Sequence, residues 1–359
     1  MKASTALLLV GWAATRAFCY PGLSRAMAEL QGLEGGQSSL GKRSTEVIGD
    51  LASMPDDALT PSGTAIKEIL AGGSANADST TYTPPGDFLS ATCQRILLCV
   101  WHWVVVELRA AFRDDAGCTA LARGAIRQGF HDAATWDRDS AYGGADGSLL
   151  LNDEELARQD NMGLAEIAAQ TRAWHAKFAP YGVGMADLIQ TAALVATVSC
   201  PGGPRIRAFV GRRDDARPGP AGRLPLPFQD APELLALFAA KTFTPGDLVA
   251  LLGAHSASAQ RFVDPARAGT PQDSTPARWD TRYYGETLAG DNSTILIFHS
   301  DSSIAAYAET RARFRQFAAV GGQILWNPAY AQAYFRMSML GVTNLNNLTE
   351  ITWVLPLAQ

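Results

Sequence analysis

Apolar positions along this chain recur with a helical period far more often than they alternate. In "ATCQRILLCVWHWVVVELRAAF" (91–112) they lie all round the helical wheel, which predicts a buried helix. "TALARGAIRQGFHDA" (119–133) reads as the next helix. "MADLIQTAALVATVSCPGGP" (185–204) reads as another, stopped by Pro201 and the glycines after it. "TFTPGDLVALLGAHSASAQ" (242–260) offers Thr244 as N-cap, Pro245 at the first helical position and Asp247 in the first turn. Leu248, Leu251, Leu252 and His255 then fall at i, i+3, i+4 and i+7, which puts His255 on the buried stripe of that helix. "SSIAAYAETRARFRQFAAVGGQILWNPAYAQAYFRMSML" (302–340) predicts two more helices, with His299 in the loop before them. Strand-like alternation is scarce, so the fold class is mainly α, one domain over residues 89–359.

The N-terminal part reads differently. "MKASTALLLVGWAATRAFCYPG" has a lysine, a short apolar run and then small residues, which is a signal peptide over residues 1–19 and too short to span a bilayer. Cleavage falls after Ala17 or after Cys19, and the mature chain is expected to be secreted. Residues 20–88 are rich in Gly, Ser and Thr, with short helical pieces such as "GTAIKEIL". They read as a low-complexity leader or loosely structured arm. Lys42-Arg43 offers a processing site, though a dibasic pair in such a stretch commonly has no role.

With 47% hydrophobic and 18% charged residues, 359 residues can build a sizeable core. The formal charge of −5 and the lack of a Lys/Arg block argue against a nucleic-acid surface. No later run is apolar for long enough to cross a membrane. Export makes the cysteines readable as disulfides. If Cys19 leaves, Cys93, Cys99, Cys118 and Cys200 remain, with three connectivities open. Asn292-Ser293-Thr294 and Asn347-Leu348-Thr349 are sequons compatible with secretion.

Of the five histidines, His102 and His175 sit beside tryptophans and are explained by packing. Arg127 and His131 are four apart and project from one helix face. An arginine beside a histidine favours the neutral ring, a base next to a fixed cation. His255 reads either as a core histidine bonded to a carbonyl or as a ligand aimed into an apolar cavity. "YGGADGSLLLNDEELARQDNMGL" (142–164) and "PQDSTPARWD" (271–280) supply hard oxygens that suit calcium, or plain turn chemistry.

Taken in order, R-x-x-F-H-D at 127–132, G-G-A-D-G-S at 143–148, C-P-G at 200–202, A-H-S at 254–256 and D-S-T-P at 273–276 resemble the plant–fungal haem peroxidase superfamily. The closest likeness is to its secreted fungal class II branch, and it covers roughly residues 90–310. The resemblance implies a helical peroxidase fold with haem b between distal and proximal halves. On the distal side His131 would be the general base toward hydrogen peroxide, Arg127 the charge-stabilising cation and Phe130 the pocket aromatic. Asn161 would accept from the second ring nitrogen of His131, and Glu155 would supply a carboxylate to that network. On the proximal side His255 would ligate iron, with Asp301 accepting its other N–H.

The same resemblance implies two Ca²⁺ ions. The distal one would take Asp132, Gly144, Asp146 and Ser148; the proximal one Ser256, Asp273, Thr275, the Arg278 carbonyl and Asp280. It also pairs Cys118 with Cys200, which leaves Cys93 with Cys99. Manganese-oxidising relatives place carboxylates where this chain has Ala120, Gly124 and Arg261, so no Mn²⁺ site is expected. Lignin-type relatives carry an exposed tryptophan where this chain has Ala250. Gln272 stands where relatives usually have an apolar aromatic, and a polar amide there bears on the reduction potential in a direction the sequence does not set.

The expected protein is therefore a secreted monomeric peroxidase that reduces hydrogen peroxide and oxidises small phenolic or aromatic reductants by one-electron steps. It is not expected to engage nucleic acid or membrane. A surface relay through Trp136, Trp279 or Tyr283 is a further option, against ordinary packing. The alternative is a non-catalytic secreted calcium- or haem-binding protein that retains the fold. A non-haem metal hydrolase is weaker, because neither His131 nor His255 has a second histidine beside it.

Overall fold

The structure is a computed structural model and describes residues 43–359. The signal peptide, Cys19 and Lys42 lie outside the described residues. In chain order the α-helices are α1 (Pro61–Leu70), α2 (Leu97–Phe112), α3 (Ala120–Ala133), the single turns α4 (Ser148–Leu151) and α5 (Asp153–Leu156), α6 (Ala165–Phe178), α7 (Met185–Ser199), α8 (Ala231–Ala240), α9 (Pro245–Leu252), α10 (Arg282–Ala289), α11 (His299–Ala306), α12 (Arg311–Ala318) and α13 (Gly322–Met337). Strand among the described residues is limited to two antiparallel ribbons, Arg113–Asp114 on Gly117–Cys118 and Phe209–Val210 on Thr349–Glu350. The fold is mainly α, as the periodicity predicts.

The centre is α7, whose residues are all buried. It packs against α3 and α2, while α9 packs against α13. The α3–α7 crossing is close because of Gly129: a Cβ there would lie 2.6 Å from the Ala193 Cβ and 2.3 Å from Tyr334 Oη. Helix α9 begins as its sequence predicts, with a capping box between Thr244 and Asp247 and Pro245 in the first turn.

Four expectations are corrected. First, α9 ends at Leu252, and His255 sits on the 3₁₀ turn Gly253–Ala257 rather than on the α-helical stripe. Gly253 lies under Tyr284 and Trp326, where a Cβ would come within 2.5 Å of the indole. Second, the stretch after residue 299 holds three helices, because Thr310 caps Ile304 and Tyr307 between α11 and α12. His299 opens α11 and bonds Asp230 Oδ1 at 2.7 Å. Third, α2 is not buried all round, since Leu97 and Val106 face solvent.

The fourth correction concerns the arm. From residue 44 onward it is packed into the domain, so the boundary expected at 89 does not hold. Thr60 caps α1 with Pro61 in its first turn, and Ile66, Ile69 and Leu70 are fully buried. Burying three such side chains contributes on the order of 5 kcal/mol, large against typical net stabilities. Arg336 on α13 donates to the carbonyls of Ser44 and Leu70 at 3.1 and 2.9 Å, and Asp247 accepts the Ser44 N–H at 3.0 Å. Disulfides join Cys93 to Cys99 and Cys118 to Cys200. Among the described residues no single helix is long and apolar enough to cross a membrane.

Candidate active site

Helix α3 carries Arg127, Phe130 and His131 in its last two turns, and the predicted one-face pairing is direct. Arg127 Nε donates to His131 Nε2 at 3.1 Å. Its guanidinium is anchored by the carbonyls of Met162 (2.7 Å) and Asp160 (3.2 Å). The approach depends on Gly163, with φ +89°, where a Cβ would lie 3.0 Å from Arg127 Nη1. Phe130 stands edge-on to the His131 ring at 5.8 Å and stacks on Phe238.

The tautomer of His131 follows from its partners. Asn161 Nδ2 donates to the Glu155 carbonyl at 2.7 Å, which turns Asn161 Oδ1 toward His131 Nδ1 at 2.8 Å. Nδ1 therefore carries the proton and Nε2 keeps its lone pair. Burial, and then the charge of Arg127, push the His131 pKa down to about 3, against the opposing bond from Asn161. Burial also lowers Arg127 to about 10, which leaves it charged at neutral pH. Glu155 differs from expectation. It is the main-chain carbonyl that holds Asn161, while the carboxylate accepts from the Gly219 N–H.

On the 3₁₀ turn, His255 Nδ1 meets Asp301 Oδ2 at 3.2 Å. Asp301 is fully buried in the first turn of α11. Tyr283 and Phe298 stand edge-on to the ring, each at 5.7 Å. The side chain is 31% exposed, and among the described residues its Nε2 has no hydrogen-bond partner. An imidazole with one nitrogen pinned by a carboxylate and the other open has the donor arrangement that an axial haem ligand needs.

Two sets of buried oxygens flank these histidines. Asp132 follows His131 directly, with its Oδ1, Ser148 Oγ and Glu155 Oε1 all buried and unpartnered. Burial together with the charges of Asp146 and Glu155 drives the Asp132 carboxyl well above the usual range, and burial raises Asp146 to about 6. The carbonyl of Gly144 accepts from the Asp146 N–H at 2.8 Å. Ser256 follows His255 directly, and its Oγ and Asp273 Oδ2 are likewise buried without partners. Burial raises Asp273 to about 8, with further repulsion from Asp280 and Glu286. Thr275 bonds Asp280 at 2.9 Å, and the Thr275 carbonyl accepts from the Arg278 N–H at 2.9 Å. Among the described residues no group of three or more His, Cys, Asp or Glu side chains forms a metal site, so either set would rely on hydroxyl and main-chain oxygens as well. Unpartnered buried oxygens beside crowded carboxylates fit a hard cation.

Ala120 and Arg261 are exposed, and Gly124 packs against Ile167. Ala250 is buried, and its carbonyl takes the Trp326 indole N–H at 2.9 Å. Trp279 and Tyr283 are buried as well, stacked in the aromatic core, which corrects the expectation of surface side chains there; Trp136 is half-buried.

The profile of the family described as Peroxidase matches residues 104–320. The chain is 34% identical over 276 residues to the "Low-redox potential peroxidase" of Taiwanofungus camphoratus, covering 71% of this chain and 77% of that one. It is 31% identical over 283 residues to the "Peroxidase" of Arthromyces ramosus (72% and 76%), and 31% identical over 288 residues to "Ligninase LG5" of Phanerodontia chrysosporium (73% and 75%). The matched span contains both histidines, the arginine and the two oxygen sets, and the chain belongs to the peroxidase family.

Proposed function

We propose that this protein is a secreted, monomeric haem b peroxidase in which His131, Arg127, Phe130 and Asn161 form the peroxide side and His255 with Asp301 the iron side. The observation that carries the reading is the contrast between the two rings. His131 is buried and neutral beside a fixed guanidinium, and His255 has an open Nε2 backed by a buried carboxylate. Haem b held by His255 would supply the two electrons that reduce hydrogen peroxide to water, and two one-electron donations from the reducing substrate would restore it.

His131 Nε2 takes the proton from the near oxygen of hydrogen peroxide and passes it to the far oxygen, which leaves as water. Arg127 shares the space at that lone pair, and its charge stabilises the negative charge that grows as the O–O bond breaks. Asn161 keeps Nδ1 protonated, so that Nε2 is the basic atom. Phe130 narrows the pocket against Phe238.

Two Ca²⁺ ions belong to the same reading. Asp132, Gly144, Asp146 and Ser148 would hold the distal ion, with the Glu155 carboxylate beside it. Ser256, Asp273, Thr275, Asp280 and the Arg278 carbonyl would hold the proximal one. In this reading the donors are small phenols and aromatic amines, since Ala120, Gly124 and Arg261 offer Mn²⁺ no carboxylate. The exposed sequons at Asn292 and Asn347 are compatible with export.

A haem titration followed by stopped-flow peroxide mixing tests the assignment. His131→Ala should keep the Soret band and lose about two to four orders of magnitude in peroxide cleavage, whereas His255→Ala should lose the iron ligand itself. Full activity in His131→Ala would remove the role given to that ring. A donor panel of Mn²⁺, a simple phenol and a non-phenolic aromatic then tests the donor class, and saturable Mn²⁺ oxidation would overturn it.

A further inference from the structure

We propose that Gln272 is a positioning residue that draws charge from Asp301 and so weakens its grip on the Nδ1 proton of His255. The inference rests on reading His255 as the iron ligand. Gln272 is 3% exposed. Its Nε2 lies 3.3 Å from Asp301 Oδ2, the same oxygen that meets His255 Nδ1 at 3.2 Å. The amide orientation is fixed by its two neighbours. Turned over, it would aim a carbonyl oxygen at a carboxylate oxygen. As it stands, its Oε1 accepts from the Ser258 hydroxyl. Ser258 Oγ also lies 2.7 Å from the His255 carbonyl, so its single proton is shared between that oxygen and Gln272 Oε1.

Asp301 is fully buried; besides His255 and Gln272 its carboxylate has the Ser300 hydroxyl, 3.5 Å from Oδ1, and the neighbouring Tyr283 hydroxyl. A carboxylate oxygen that accepts two N–H groups bonds each less strongly than it would bond one. An apolar side chain at 272 would leave Oδ2 to His255 alone, and the ring would carry more negative character at Nε2. Electron density at an axial ligand favours ferric over ferrous iron. Gln272 therefore moves the ferric/ferrous equilibrium of this protein toward the ferrous side, relative to a relative with an aromatic at that position.

The test uses the holoprotein and Gln272→Met, which keeps length and volume but has no N–H. Resonance Raman of the ferrous form should show the iron–histidine stretch moving up in frequency. Spectroelectrochemistry should show the ferric state favoured by about tenfold, equivalent to about 59 mV for one electron. Ser258→Ala leaves the amide in place but less polarised, and should move both readings the same way by a smaller amount. It also decides the matter if the Met variant fails to fold. An iron–histidine stretch and potential that stay unchanged, or move the opposite way, would overturn the inference. An iron–histidine stretch that persists in the His255→Ala holoprotein would instead overturn the assignment of the iron ligand.

Discussion

Stripping divalent cations with EGTA should destabilise this protein strongly, and more so as the pH rises. Four of the buried oxygens in the two sets beside His131 and His255 have no hydrogen-bond partner among the described residues: Asp132 Oδ1, Ser148 Oγ, Ser256 Oγ and Asp273 Oδ2. An unsatisfied buried polar group costs about 1–3 kcal/mol, so four cost about 4–12 kcal/mol, comparable to the whole net stability of a domain. Asp273, one of the four, can be costed a second way. Its carboxyl moves from 3.8 to about 8 through burial, and at about 1.4 kcal/mol per unit the upper bound is about 6 kcal/mol, which relaxation and water entry would cut to a few.

The sign follows from proton linkage. With a raised pKa, the folded cation-free chain keeps a proton on Asp273 that the unfolded chain releases between about pH 4 and about pH 8. Stability is then full below that window and is lost as pH rises through it. A bound cation supplies the missing charge and removes the penalty. Calorimetric melts in EGTA against excess CaCl₂, at about pH 5 and about pH 8, should therefore show the larger loss at the higher pH. At about 2–4 °C per kcal/mol, a loss of only 4 kcal/mol lowers Tm by about 10 °C. An unchanged melt would refute the assignment of both oxygen sets, and a loss larger at the lower pH would refute the electrostatic reasoning.

Peroxide cleavage should be flat with pH down to about pH 4 and fall as His131 protonates near 3. Arg127→Leu removes a depressing charge and should move this acid limb up; Asn161→Leu removes a raising bond and should move it down, with a loss of about 10–100-fold in rate. Stopped-flow pH profiles in which both variants shift the same way would contradict these causes. Replacing Cys118 and Cys200 with serine opens a separation of 82 residues, against 6 for Cys93 and Cys99. The chain-entropy cost is about 4.5 kcal/mol for the first and about 2 kcal/mol for the second, and urea midpoints should rank accordingly. Gly129→Ala should destabilise by about 1–3 kcal/mol in the same assay, since its Cβ collides with Ala193 and Tyr334.

How far the sequence could be read depended on whether the information was local. Arg127 and His131 fall on one face by helical spacing alone, and Thr244 and Asp247 form their capping box within three residues. His255 could not be placed that way, because the turn that carries it tightens under Tyr284 and Trp326, residues far along the chain. The arm from residue 44 was hidden for the same reason: its composition reads as loose, while its anchors are Arg336, Asp247 and Asn346. Glu155 was missed in a different way. Side-chain identity suggested a carboxylate role toward Asn161, but the working atom is a peptide oxygen, which every residue has.

The two rings share one tautomer and differ in what holds it. Both carry the proton on Nδ1, set by an acceptor on another element. For His131 that acceptor is a neutral amide, which fixes orientation while burial and Arg127 hold the ring neutral and leave Nε2 the unprotonated nitrogen. For His255 it is a buried carboxylate, which pushes electron density through the ring to Nε2. Exchanging the acceptors would therefore be worse than removing either one. A carboxylate at 161 would favour protonated His131 and remove the base, and an amide at 301 would leave His255 a poorer donor. The division of labour between two identical side chains thus lies in the charge of Asn161 and Asp301, and Gln272 adjusts the second of these.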